Sequence, residues 1–309
     1  MPSSPSCRTD SLRTRGFSWQ IVGGHSLARG HVAWVRIEPA AGEIDSPHGM
    51  RDLLIEETGD VPEVRVTNSS FRPVLLQSNL VVTGGLQTRA ILRSLVVPAR
   101  GATRAPVRCV EQGRWAPRDD GGGATFGVGG PVSLHMRTRM TMYKAESLRA
   151  EGAYGVDQRT VWREVEAELA RSKVASSTRS YEAYLDGARK RDLDAVDAER
   201  IRPPENANGL LARPRAGGFW LEAFASHAVL ARQAAASIAD LVAPDPEARP
   251  PGSVPAAEAL MERIWTTPLR PIEAVPSSTG DAYALAEVDV AGEILLVGGR
   301  LAHLAVGAG

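Results

Sequence analysis

Between Ser18 and Val107 the chain is a succession of short β-branched runs broken by turn residues, and this limits its fold more than any other feature. Gln20-Ile21-Val22 and His31 to Ile37 are apolar or alternating. Val64-Arg65-Val66-Thr67-Asn68 alternates and ends on turn chemistry, and Val74-Leu75-Leu76 and Leu80-Val81-Val82 lead into a glycine pair. Ala90 to Val97 is a further apolar run closed by Pro98, and Val107 to Glu111 a short strand after Pro106. Strands this short and closely spaced predict an antiparallel, sandwich-like sheet folded over a core.

Arg118 to Pro131 is glycine-rich and reads as a loop. Gly127-Val128-Gly129-Gly130 lacks the Lys-Ser or Lys-Thr that a phosphate loop requires. Helix takes over near Ser133. Val161, Val165 and Leu169 recur every four residues with acidic residues on other faces, the pattern of an amphipathic helix, and Tyr181, Tyr184 and Leu185 continue the stripe. Arg202 to Arg215 reads as a connection, Gly217 to Phe224 as a strand, His227 to Val242 as a helix, Ala243 to Pro255 as a stiff proline-rich connection and Ala256 to Trp265 as a short helix. Strands at Ala282 to Val290, Glu293 to Val297 and Arg300 to Val306 form a meander that extends a sheet. The expected organisation is a disordered tail over 1–16 and a single α+β domain over 17–309: β-rich over 17–132, helical and mixed over 133–265, with a β meander over 282–306.

Of 309 residues 43% are hydrophobic, enough for a sizeable core, and 36 acidic residues balance 36 basic ones. A neutral chain lacks the footprint of a nucleic-acid or membrane-surface binder. No stretch approaches the ~20 apolar residues that span a bilayer. Cys7 and Cys109 do not make a disulfide framework, which fits a cytoplasmic setting.

The residues with most chemical content lie in two segments, Gly84-Gly85-Leu86-Gln87-Thr88-Arg89 and Cys109-Val110-Glu111-Gln112-Gly113-Arg114-Trp115. In an extended chain Gln87 and Arg89 share a face, as do Cys109 and Glu111. Gly84-Gly85 permits a tight turn or close approach of backbone to a ligand. On a functional reading Arg89 and Arg114 clamp a phosphate or carboxylate, Gln87 orients it, Trp115 stacks on a flat group and Glu111 is the general base. On a structural reading Glu111 pairs with Arg114 or Arg89 in a satisfied network, Trp115 is core and Cys109 is an inert buried thiol rather than a nucleophile. The six histidines do not pair at metal-ligand spacing, there is no Cys-x-x-Cys, and no metal or cofactor is expected. Glu222 reads as a surface salt bridge and Trp162 as packing, with Gln158 one helical turn before it.

These paired motifs, Gly-Gly-x-Gln-x-Arg and Cys-Val-Glu-x-Gly-Arg-Trp, resemble the ARG and Rhodanese-Phosphatase-superfamily-associated protein domain family, where ARG stands for ADP-ribosylglycohydrolase. Asn68-Ser69-Ser70 with Pro73, Gln158 with Val161-Trp162, and Phe219 to Ser226 fit as well. The resemblance implies an α+β domain and hints at an ADP-ribose- or nucleotide-derived phosphorylated ligand, in association with an ADP-ribosylglycohydrolase or phosphatase system. It carries Gln87, Arg89, Glu111 and Arg114 as site residues; Thr88 stands where the family pattern has asparagine. Two functions follow. The leading one is a hydrolase or transferase with Glu111 activating water or a sugar hydroxyl. The other is a non-catalytic anion-binding or partner module. A third reading is a structural scaffold that binds no small molecule; an open, unpaired Glu111 favours the first, and a buried Glu111 locked to Arg114 favours the module or a purely structural role.

Overall fold

Period-two alternation closes the first third of the chain into a barrel. In β4 (Glu63–Asn68) Val64 and Val66 turn inward while Arg65 turns out; in β9 (Gly101–Cys109) Ala105 and Val107 turn inward while Arg104 turns out. With β3 (Leu53–Glu57), β6 (Leu80–Gly84), β7 (Arg89–Ile91) and β10 (Thr125–Pro131) they pair in the closed order β10-β3-β4-β9-β7-β6, antiparallel throughout. The computed structural model describes residues 10–117, 124–190, 201–241 and 256–308. Ile55, Val82, Ile91 and Phe126 fill the barrel, together with Leu76 of β5 (Val74–Leu76) and Leu95 and Val97 of β8 (Leu95–Val97), a separate two-stranded pair.

The second body is an eight-stranded antiparallel sheet. Its order is β1 (Ser18–Leu27), β2 (Gly30–Glu38), β11 (Gly209–Pro214), β12 (Phe219–Phe224), β16 (Arg300–Ala308), β15 (Ala291–Val297), β14 (Asp281–Ala286) and β13 (Leu269–Pro271). Both faces of its central strands are buried. Val32, Trp34, Trp220 and Phe224 pack under α4 (His227–Ile238), whereas Val35, Ile37, Leu221 and Leu304 pack under α5 (Ala257–Thr266) with Met261 and Trp265. Helices α1 (Leu134–Glu151), α2 (Gln158–Arg171) and α3 (Tyr181–Tyr184) cover the outside of the barrel. Val161, Val165 and Leu169 meet Val81, Val110, Tyr181 and Tyr184 there, as their spacing predicted. Ser133 caps α1 by accepting from the Met136 amide, and Asp157 caps α2 by accepting from that of Thr160.

The α+β class and the antiparallel meander are as the sequence implied. Several boundaries differ. The Ala90 to Val97 run is two strands in different sheets, parted by polar Arg93-Ser94. Within the expected 118–131 loop, residues 125–131 form β10, paired with β6 and β3, and Gly129 lets its backbone lie close to the Val81 carbonyl of β6. β11 occupies the expected 202–215 connection, and β3 had no counterpart in the sequence reading. Residues 11–16, placed in the tail, form a turn whose Leu12 is buried beside Trp265. The 243–255 connection lies outside the described residues.

Candidate functional site

The two motifs meet. Register β7/β9 sets Arg89 opposite Cys109, which brings the turn before β7 beside the chain leaving β9. The Glu111 carboxylate then accepts from the Thr88 amide at 2.9 Å, from Thr178 Oγ1 at 2.8 Å and from Arg114 Nη2 at 2.8 Å, with Arg114 Nε 3.1 Å from both its oxygens. Gln87 donates to the Glu111 carbonyl at 3.0 Å. Burial pushes the Glu111 carboxyl up, but the bonds from Arg114, Thr88 and Thr178 outweigh it and hold it below the usual carboxylate range. Glu111 is 2% exposed.

Both arginines are engaged by the protein itself, apart from Arg89 Nε, which is buried without a partner. Arg114 donates from Nη1 to the Gly85 and Ala116 carbonyls at 2.7 and 2.8 Å and from Nη2 to that of Gly84 at 3.1 Å. Arg89 enters the barrel end, where Nη2 meets Glu57 at 2.7 Å and Nη1 donates to the Val61 and Glu63 carbonyls. The two guanidinium groups share no partner. Gly84 and Gly85 do provide a close approach, but to the protein itself. Both have positive φ, and a Cβ at Gly85 would lie 2.3 Å from the Phe126 ring and 2.8 Å from Glu57. Gly85→Ala should therefore destabilise by about 1–3 kcal/mol, read as a lower midpoint in urea; an unchanged midpoint would show that the turn does not need glycine.

Cys109 is buried, and burial raises its thiol, which makes it a poor nucleophile. Gln158 does not reach Glu111. Its amide closes a two-way pair with the Cys109 backbone, accepting from N–H at 3.0 Å and donating to the carbonyl at 2.6 Å, so it stands in for a neighbouring strand. Trp115, expected in the core or as a stacking platform, is 57% exposed. Trp162 is half-buried. Among the described residues, no three His, Cys, Asp or Glu side chains are grouped to hold a metal.

A second polar cluster lies between α1 and the large sheet. Glu222 and Glu293 both stand opposite Ala305, so β12, β16 and β15 carry them in one row on one face, with His303 two residues from Ala305. Two strand spacings cover about 9.6 Å. On α1, Arg137 and Lys144 are seven residues apart, about 10.5 Å along one face. The spacings match, and each cation meets a carboxylate: Arg137 Nη1 to Glu222 at 2.7 Å and Lys144 Nζ to Glu293 at 3.2 Å. All four residues are at most 3% exposed. The surface salt bridge expected of Glu222 is thus a buried one. Burial pushes its carboxyl up, but the Arg137 charge, His303 and Ser237 outweigh that and bring it to about 2.

Ser94, His303 and Glu222 follow one another like a hydrolytic triad, yet the hydrogen count forbids that role. Ser94 Oγ donates to Glu293 at 2.5 Å and accepts from the Ser78 amide at 2.9 Å. Its one proton being committed, His303 Nδ1, 2.8 Å away, must be a donor to it, not a base. The cluster holds helix α1 and the barrel to the sheet through its ion pairs and hydrogen bonds, while Arg137 Nε and His303 Nε2 are buried without a hydrogen-bond partner. Sequence reading missed Lys144 and Glu293. The visible signal was polar Arg93-Ser94 inside an apolar run, and charged Arg137 and Lys144 spaced by two helical turns.

A closed barrel beside an antiparallel sheet, with helix α1 tied to that sheet by two buried ion pairs and a locked Gln-Glu-Arg constellation at one barrel end, defines the class of protein. Residues 37–306 match the family model for the ARG and Rhodanese-Phosphatase-superfamily-associated Protein domain, and the chain belongs to that family. Neither the curated proteins nor the solved structures provide a match. Among the described residues, no helix is long and apolar enough to cross a membrane.

Proposed function

We propose that this chain is a non-catalytic module that binds a small phosphorylated ligand, of ADP-ribose or nucleotide type, for a partner of the ADP-ribosylglycohydrolase or rhodanese-phosphatase kind. The partner class follows the family's name alone. The observation that carries the non-catalytic reading is the Glu111 carboxylate, buried and surrounded by donors from Thr88, Thr178 and Arg114. A general base needs a free lone pair within reach of a substrate proton. Hydrolase chemistry at Glu111 would require it to give up at least one of these donors. On this reading Gln87, Arg89, Glu111 and Arg114 shape the barrel end, and Trp115 is a contact point for ligand or partner. Residues 17–309 act as one folding unit, tied by the Arg137–Glu222 and Lys144–Glu293 pairs. A cytoplasmic setting is supported by Cys109 being a free thiol.

The test is incubation with ADP-ribose, NAD and phosphosugars, followed by thermal shift and product analysis. The expected result is stabilisation without product; at 100 times the dissociation constant the gain is ~2.7 kcal/mol. Glu111→Gln should cost about 1–3 kcal/mol of stability through weakened charged hydrogen bonds and leave ligand binding within twofold. Turnover by the wild type that Glu111→Gln abolishes would establish the enzyme instead.

A further inference from the structure

Arg65 and Arg104 stand directly opposite each other in the β4/β9 register. Opposed residues on an antiparallel pair project to one side with Cβ atoms about 5 Å apart, and like charges there repel. The alternation that buries Val64, Val66 and Ala105 in the barrel forces both guanidinium groups outward. Arg104 is compensated by Glu63 at 3.2 Å and Asp60 at 3.5 Å. Arg65 has no ion pair or hydrogen-bond partner among the described residues.

A third guanidinium enters from another direction. Arg93, in the break between β7 and β8, donates from Nη1 to the Glu273 carbonyl at 2.6 Å, while its Nε is buried without a partner. All three arginines line one cavity of about 340 Å³ in which Glu63 is the only carboxylate among the described residues. The far wall is Val275, Pro276 and Ser277, from the connection between β13 and β14. Val275 anchors in the barrel core, and Thr103 Oγ1 donates to the Ser277 carbonyl at 2.8 Å. Two opposed arginines, a third held by the Glu273 carbonyl and a largely apolar wall form a site for an anion attached to a less polar group.

We propose that this cavity binds the phosphate or pyrophosphate group of a small molecule, with Arg65 and Arg93 as the direct ligands and Arg104 completing the positive field. Guanidinium forks match phosphate oxygens bidentately, and the volume lies at the small end of ligand pockets, about 300–1,000 Å³. The ligand class rests on the binding-module reading; the location rests on the arginine geometry. An anion here also removes the repulsion across β4/β9, so binding and stability are linked.

Calorimetric titration of inorganic pyrophosphate, ADP-ribose and citrate into wild type, Arg65→Gln and Arg93→Gln tests it, with melting curves in phosphate-free buffer to confirm folding. Pyrophosphate or ADP-ribose should bind wild type and lose at least tenfold in affinity in each variant. Arg65→Gln should melt no lower than wild type without anion, since it relieves a repulsion and breaks no pair. Much tighter binding of ADP-ribose than pyrophosphate marks an esterified phosphate as ligand; equal binding marks the inorganic anion. Unchanged affinity in both folded variants overturns the location and leaves the module reading standing. A wild type that binds neither phosphate compound overturns both, and citrate binding as tightly as pyrophosphate overturns the phosphate assignment.

Discussion

Glu293→Ala is expected to lower the unfolding free energy by about 3–5 kcal/mol, measured by equilibrium unfolding in urea. Lys144 is 1% exposed, and its ammonium has Glu293 as its charged partner, with the Ser78 hydroxyl and the Leu92 carbonyl as neutral ones. Removing the carboxylate leaves a buried cation whose desolvation only two neutral acceptors offset. It also removes the acceptor of the Ser94 amide and hydroxyl, at 2.7 and 2.5 Å. The double variant Lys144→Met with Glu293→Leu removes both charges and should recover more than half of the loss, because two apolar groups need no compensation. A double variant as unstable as the sum of the singles would show that the pair is not coupled. Since this pair joins helix to sheet, fluorescence and far-ultraviolet dichroism should report one coincident transition in the wild type.

Arg137→Met should cost a similar amount, about 3–5 kcal/mol, and change the response to acid. The Glu222 carboxyl sits at about 2 in the folded protein against 4.5 ordinarily. A carboxyl depressed by folding stabilises fully above its unfolded value. That contribution fades as pH falls from about 4.5 towards 2, because the unfolded chain binds the proton first. Glu293 acts in the same direction: burial raises its carboxyl, but Lys144 and Ser94 outweigh it. Wild-type urea midpoints should therefore fall steeply below pH 4.5. In Arg137→Met the slope should be smaller, because Glu222 loses the charge that holds its carboxyl down. Equal wild-type midpoints at pH 5 and pH 3 would rule this out.

The same pairing rules explain what could be read in advance. Alternation in Val64 to Asn68, four-residue spacing in Val161 to Leu169 and the terminal meander are local patterns, and local sterics and periodicity suffice for them. The nearness of the two motifs was also legible, since each leads into or out of a strand of a small sheet. Whether Glu111 would face a ligand or Arg114 was not, because that depends on Thr178, 67 residues away.

Sequence alone thus determined the α+β class, the amphipathic helices and the residues that gather at the barrel end, because side-chain period and turn chemistry act over a few residues. Only the tertiary structure decided which charges are buried and which are free. Glu222 and Glu293 share a row because β16 passes between their strands, and Arg65 faces Arg104 through the register of strands about forty residues apart. Such neighbours are set by strand order and helix placement, and a charge takes its energy from what surrounds it rather than from what precedes it in the chain.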